Sequence, residues 1–128
     1  MKILFLFILT IAFTSIPAQE KESTIETKQF LYLLKLTPKY FDEKNIDDEA
    51  MKTVQIHFKR LQDMLEEGKL IFAGRAEVQN DRTFGIVVFD AKSFEDAEQI
   101  ANDDPAVKAG IMSVEVFPFS VALIRRLN

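Results

Sequence analysis

The chain contains no cysteine, a single histidine and no excess of basic residues. The absence of cysteine excludes disulfides, thiol catalysis, zinc–cysteine sites and iron–sulfur clusters. One histidine excludes any site that needs two imidazoles within one chain. The 16 Lys and Arg against 20 Asp and Glu give a net charge of −4, which disfavours nucleic acid because phosphates need a basic patch. The 128 residues, 48% hydrophobic and 28% charged, predict one small acidic globular domain.

The first 18 residues differ from the rest of the chain. Lys2 gives a positive start, residues 3–16 are uncharged and mostly apolar, and Ala18 precedes a polar stretch. This layout predicts a cleaved secretory signal over residues 1–18. The apolar run is shorter than the ~20 residues of a membrane span, although an uncleaved anchor helix is the alternative. We therefore expect an exported protein, periplasmic or secreted, with no stable membrane anchor after cleavage.

The remaining chain predicts a polar linker over residues 19–28 and one domain over residues 29–128. Within that domain, apolar runs predict four strands, and two segments predict helices, the first over residues 47–67 and the second beginning after Ser93. The order β-α-β-β-α-β, with right-handed crossovers, gives an α+β, ferredoxin-like fold: a four-stranded antiparallel sheet with both helices on one face. The strands are predicted at residues 30–36, 69–78, 83–90 and 111–119. One apolar stripe is predicted along the first helix: Ala50, Val54, Phe58, Leu61 and Leu65.

Both faces of the predicted sheet are apolar. In the third strand Ile86 and Val88 point away from Val87 and Phe89, whereas a solvated face would alternate with polar residues. Two helices cover one face, so the other face needs a cover, and a second copy of the chain is the simplest. We expect a homodimer with facing sheets. The alternative is a monomer that exposes these residues or shields them with its tail.

His57 is the first candidate for chemistry. It lies three residues after Val54 and four before Leu61, at the edge of the predicted stripe. A half-buried imidazole suits proton transfer near neutral pH. The alternative is a helix-edge histidine that is satisfied by a backbone carbonyl.

Asp103, Asp104 and Pro105 form the second candidate. Two adjacent carboxylates repel, so one of them could have a raised pKa or pair with a cation. Alternatively, Asp104 caps a short helix that begins at Pro105 and stops at Gly110.

Gly74, Arg75 and Glu115 are candidate substrate-binding residues. Gly74 allows close backbone approach by a ligand, or a kink, and Arg75 could hold an anionic group. Glu115 interrupts the apolar fourth strand, where it either lines a polar cavity on the open sheet face or pairs with Arg75.

Other chemistry has little support. No nucleophile elbow, phosphate-binding glycine loop or histidine-rich metal motif occurs, and a carboxylate-only metal site at Asp103 and Asp104 is weakly indicated. We expect no metal and no cofactor.

Five segments, taken in order, resemble the YCII-related domain family, over nearly all of the chain that follows the predicted signal. They are residues 57–65 (HFKRLQDML), 67–75 (EGKLIFAGR), 84–89 (FGIVVF), 104–110 (DPAVKAG) and 115–119 (EVFPF). The resemblance implies a ferredoxin-like fold that pairs into a dimeric α+β barrel. It also implies an active site with a histidine on the first helix and an aspartate before a proline, here His57 and Asp104.

Three functions follow. The first is a small-molecule enzyme in which His57 acts as general acid or base, oriented by Asp104, in proton abstraction, elimination or isomerisation. The second is an envelope module that binds a small ligand without catalysis, and the third is a structural dimer. The sequence does not identify the ligand.

Overall fold

The computed structural model describes residues 27–125. The predicted signal at residues 1–18 and most of the predicted linker lie outside the described residues. The helices and strands, in chain order, are β1 (Lys28–Leu36), α1 (Asp48–Glu66), β2 (Leu70–Arg75), β3 (Phe84–Ala91), α2 (Phe94–Asn102), α3 (Pro105–Lys108) and β4 (Met112–Pro118). Short 3₁₀ turns lie at Pro38–Tyr40, Glu43–Asn45 and Asn80–Arg82.

The four strands form one antiparallel sheet in the order β2-β3-β1-β4. Leu61 and Met64 of α1 join the same buried cluster as Ala97 of α2 and Tyr32 of β1, so both helices lie on one face. The predicted α+β, ferredoxin-like fold is therefore confirmed. No helix between residues 27 and 125 has an apolar stretch long enough to cross a membrane.

Side-chain caps fix the ends of the helices. The Asp47 carboxylate accepts a hydrogen bond from Ala50 N at 2.8 Å at the start of α1. Ser93 Oγ accepts from Asp96 N at 3.1 Å at the start of α2. Each cap satisfies an N–H group that has no partner within its helix. Gly68 follows α1 with φ +72°, a left-handed conformation that favours glycine after a helix.

The buried stripe of α1 agrees in part with the one predicted. Ala50 and Leu61 are buried as predicted, but Phe58 and Leu65 are 59% and 56% exposed, and their neighbours His57 and Met64 are buried instead. Hydrophobicity alone would favour Phe58 over His57. His57 is buried because Asp104 is its buried partner, and a polar group is buried at low cost only when it is hydrogen-bonded.

The face of the sheet opposite the helices is apolar, as predicted. The register sets Leu31 beside Val88 and Leu33 beside Ile86 on this face. Val88 is fully buried, while Phe84 and Phe117 are 40% and 38% exposed. A second copy of the chain could bury this apolar face. The structure describes a single chain, and the homodimer therefore stays a prediction.

Candidate functional site

Asp104 is a fully buried carboxylate at the N-terminus of α3. Its Oδ1 accepts a hydrogen bond from Ala106 N at 2.9 Å. Pro105 occupies the first turn, where a missing N–H costs nothing, and Gly110 follows the helix with φ +72°. The capping role considered for Asp104 is therefore correct, and it uses only one of the two carboxylate oxygens.

His57 uses the other oxygen. Its Nδ1 lies 2.7 Å from Asp104 Oδ2, although the two residues are 47 positions apart in the chain. His57 is 8% exposed, so the predicted position at the edge of the stripe is wrong. The ring lies on the buried face of α1, because that face is directed at the N-terminus of α3.

Two further side chains surround the same oxygen. The Tyr32 hydroxyl lies 3.5 Å from Asp104 Oδ2, which is long for an O–H···O hydrogen bond. Arg60 Nη1 lies 3.7 Å from it, within ion-pair range, and Arg60 Nη2 donates to the Ile100 carbonyl at 2.8 Å. Asp104 Oδ2 therefore has three neighbours: His57 makes a strong contact, Tyr32 a weak one, and Arg60 an electrostatic one.

These neighbours decide the charge of Asp104. Burial alone raises the pKa of the Asp104 carboxyl. The hydrogen bond from His57, its charge when the ring is protonated, the Ala106 amide and the Arg60 guanidinium together outweigh burial, so this pKa lies below its ordinary value of 3.8. Burial, and then the Asp104 charge, raise the pKa of the Tyr32 phenol far above its ordinary value. At neutral pH Asp104 is therefore ionised and Tyr32 is protonated.

The charge of Asp104 fixes the tautomer of His57. An ionised carboxylate only accepts hydrogen bonds, so His57 Nδ1 carries the hydrogen. Nε2 of the neutral ring then has a free lone pair. Among residues 27–125, Arg60 Nη1 is the one buried side-chain nitrogen or oxygen without a hydrogen-bond partner. No residue between 27 and 125 forms a hydrogen bond with His57 Nε2, and this nitrogen is not a buried atom without a partner, so it is available to accept a proton.

The three candidate substrate-binding residues lie away from this pair. Arg75 ends β2 and Glu115 lies in β4, at opposite edges of the sheet, three strand spacings or about 14 Å apart. The alternative Arg75–Glu115 ion pair is therefore wrong, and Arg75 pairs with Glu77, Nε to Oε1, at 3.2 Å.

Gly74 and Glu115 both have register positions on the open sheet face, opposite Ile86 and Leu33. The irregularity in β2 lies between Leu70 and Phe72 rather than at Gly74. Any ligand contact by Gly74 or Glu115 would therefore be made at the open face, and their binding roles stay predictions.

Tyr32 and Arg60 are site residues that the sequence does not predict. Arg60 follows His57 by three residues on α1, a spacing that places two helical side chains side by side. This spacing of a basic side chain and a candidate histidine is the sequence feature that could have identified Arg60 as a site residue. Tyr32 gave no signal, because an aromatic residue in an apolar strand is ordinary core.

Two of the surface cavities are lined by residues other than His57 and Asp104. The larger measures about 720 Å³ and is lined by Arg60, Met64, Lys69 and Ile100 among others. It therefore meets the site only through Arg60. No three His, Asp or Glu side chains between residues 27 and 125 cluster closely enough to hold a metal ion.

Comparison with known proteins identifies the family of the chain and a solved structure with a similar fold. The model of the YCII-related domain matches residues 29–120. The chain is similar in structure to the 5-chloro-2-hydroxyhydroquinone dehydrochlorinase from Burkholderia phenoliruptrix AC1100, solved with 2,5-dihydroxybenzoquinone. That match has a TM-score of 0.54 and 19% identity, and covers 72% of this chain and 93% of the dehydrochlorinase. At this identity it shows the fold alone. No curated protein matches the chain.

Proposed function

The chain belongs to the YCII-related domain family, and from this membership we propose that it is a small-molecule enzyme that works by proton transfer. His57 is the general base or acid, and Asp104 orients its ring. The observation that carries the proposal is the 2.7 Å contact between His57 Nδ1 and a fully buried, ionised Asp104, which leaves Nε2 open to solvent.

The geometry suits a base that works without a cofactor. Nε2 takes a proton from a carbon or oxygen of the ligand, and the ring becomes an imidazolium. The Asp104 carboxylate at 2.7 Å stabilises that charge, and the ordered ring loses little freedom in the reaction. The released electron pair forms a new double bond, which either expels a leaving group (elimination) or shifts after reprotonation (isomerisation). A positioned base of this kind accounts for about 10²–10⁴-fold in rate.

The test is turnover by variants that keep the site folded. His57→Gln retains a side-chain N–H that can reach the carboxylate but removes the basic nitrogen, and His57→Ala removes both. We expect both to lose about 10²-fold or more in kcat. Lys59→Met, at an exposed position on the same helix, is the control. If His57→Gln turned over a true substrate at the parent rate, His57 would have no part in the mechanism.

The substrate class is sought with a panel of small polar organic compounds. Chlorinated hydroxyhydroquinones belong in that panel, because the similar dehydrochlorinase acts on 5-chloro-2-hydroxyhydroquinone by name. Compounds that raise the melting temperature of the parent protein but not of His57→Gln would be followed by assays for halide or proton release.

Ligand binding without catalysis is the second candidate. It is favoured by the cavity of about 720 Å³, which Arg60 and Lys69 line but His57 does not. A ligand held there would bind equally well to His57→Gln and would be recovered unchanged. Such a result, with no turnover across the panel, would favour the binding module.

We also propose that the protein is exported and acts as a homodimer. The layout of residues 1–18 supports export, and the apolar open face of the sheet supports pairing. Intact mass of the protein recovered from the cell envelope or medium tests the cleavage. A mass that still includes residues 1–18 would argue for the uncleaved anchor.

A further inference from the structure

Arg60 is held at the site by an unusual set of contacts. Its Nη2 donates to the Ile100 carbonyl at 2.8 Å, which ties α1 to α2. Its Nη1 is buried and makes no hydrogen bond with any residue between 27 and 125. The nearest charge to Nη1 is Asp104 Oδ2 at 3.7 Å. Because a buried N–H without a partner is costly, the attraction between the guanidinium and this carboxylate must hold Nη1 in place.

We propose that Arg60 is a positioning residue that controls the protonation of His57 through their shared oxygen, Asp104 Oδ2. This inference rests on the proposed role of His57 as a base. Arg60 does not touch the ring by hydrogen bond. It adds to the other contacts that favour the ionised form of Asp104, and its positive charge opposes a second positive charge on His57. Through that repulsion Arg60 disfavours the imidazolium form of the ring, whereas the Asp104 carboxylate favours it.

The distances place the two cations close enough to interact. His57 Nδ1 and Arg60 Nη1 lie 2.7 and 3.7 Å from the same oxygen, so they are at most 6.4 Å apart. A like charge at such a distance disfavours protonation, and the separation is shorter than the ~8–10 Å over which salt screens charges. The Tyr32 phenol, whose pKa is raised by burial, stays neutral and adds no competing charge.

The charged residues that precede Asp104 and Arg60 in the sequence have ion-pair partners of their own. Asp103, the residue before Asp104, pairs with Lys108 at 3.0 Å on the surface. Lys59, the residue before Arg60, pairs with the exposed Asp63. Among residues 27–125, Arg60 is the arginine or lysine that lies within 4 Å of the Asp104 carboxylate, and Lys59 provides a matched control of equal charge on the same helix.

The experiment is an NMR titration of the imidazole in the tag-free protein. His57 is the single histidine of the chain, so its ring signals need no assignment by mutation. In Arg60→Met we expect the midpoint of the His57 titration to rise by roughly half to one pH unit. In Lys59→Met we expect a change below about 0.2 unit, because that charge is exposed and screened.

Two further variants separate charge from structure. Arg60→Lys keeps the cation and should hold the midpoint within about 0.3 unit of the parent. Asp104→Asn removes the anion and should lower it by about one unit or more. Should Arg60→Met fail to fold, Arg60→Gln gives the same reading, because its amide can still donate to the Ile100 carbonyl.

A midpoint in Arg60→Met that moves no more than in Lys59→Met would overturn the inference and leave Arg60 a structural tie between helices. The titration needs no substrate, so failure of this inference can be distinguished from failure of the proposed function. A shifted midpoint in a protein without turnover would support control by Arg60 and reject the enzyme. A protein that turns over a substrate but whose midpoint does not shift in Arg60→Met would support the enzyme and reject control by Arg60.

Discussion

Replacing Asp104 by alanine should destabilise the fold far more than the same change at Asp103. The buried Asp104 carboxylate caps α3 through Oδ1 and meets His57 through Oδ2. Loss of an N-cap alone costs about 0.5–2 kcal/mol, and removing one partner of a buried pair costs about 3–5 kcal/mol. Because one side chain supplies both contacts, the two costs overlap, and we expect about 3–5 kcal/mol in all.

Asp103→Ala is the matched control. Asp103 is half-exposed and pairs with Lys108 on the surface, an interaction worth about 0–1 kcal/mol. Asp104→Asn is intermediate, since its amide oxygen can still accept from Ala106 N, and we expect a loss of about 1–3 kcal/mol. Urea unfolding followed by circular dichroism measures each value, because the chain has no tryptophan for fluorescence.

The loss in Asp104→Asn should also depend on pH. The folded protein holds the pKa of Asp104 below its ordinary value of 3.8, so ionisation stabilises the fold above pH 3.8. That contribution disappears as pH falls through the folded pKa. The gap between parent and Asp104→Asn should therefore be full at pH 6–7 and shrink below pH 3.8. Equal losses for Asp103→Ala and Asp104→Ala, or a gap unchanged in acid, would refute the buried pair.

Three other predictions test the fold. Met64→Ala should lower the free energy of unfolding by about 2–5 kcal/mol. Phe58→Ala, at an exposed position, should lower it by less than about 1 kcal/mol. A larger loss for Phe58→Ala than for Met64→Ala would show that Phe58 is buried, as the sequence predicted. Gly68→Ala, at φ +72°, should cost about 1 kcal/mol, while Gly74→Ala, with open space around it, should stay within about 0.5, as urea midpoints would report. Phe84→Glu, on the open face, should halve the mass measured by light scattering; a parent protein that is already monomeric would contradict the homodimer.

The fold could be predicted from local patterns because each element carries its own signal. Strand runs, the Ser93 cap and the stop at Gly110 are all short-range features, and the observed ends lie within a few residues of the predicted ones. The face of α1 was harder. Phe58 and Leu65 are at least as hydrophobic as the buried His57 and Met64, so a contact with another element, here between His57 and Asp104, decides which of them are buried.

The site depended on contacts that no local pattern contains. His57 and Asp104 are 47 residues apart, and it was the family resemblance that linked them before their distance was known. Arg75 and Glu115 were considered as a pair on opposite charge alone. The strand order β2-β3-β1-β4 separates them, and strand order is set by how the crossovers close rather than by either residue.

The two alternatives weighed for Asp104, a helix cap or a partner in proton transfer, do not exclude each other. A carboxylate has two oxygens, and here Oδ1 accepts from the backbone while Oδ2 accepts from the ring. The cap fixes the rotation of the carboxyl group, and that rotation directs Oδ2 at α1. A cap elsewhere leaves its second oxygen in water, whereas Asp104 is fully buried and must find an internal donor. Burial of the cap, rather than its sequence pattern, is therefore what turns a structural aspartate into a partner for His57.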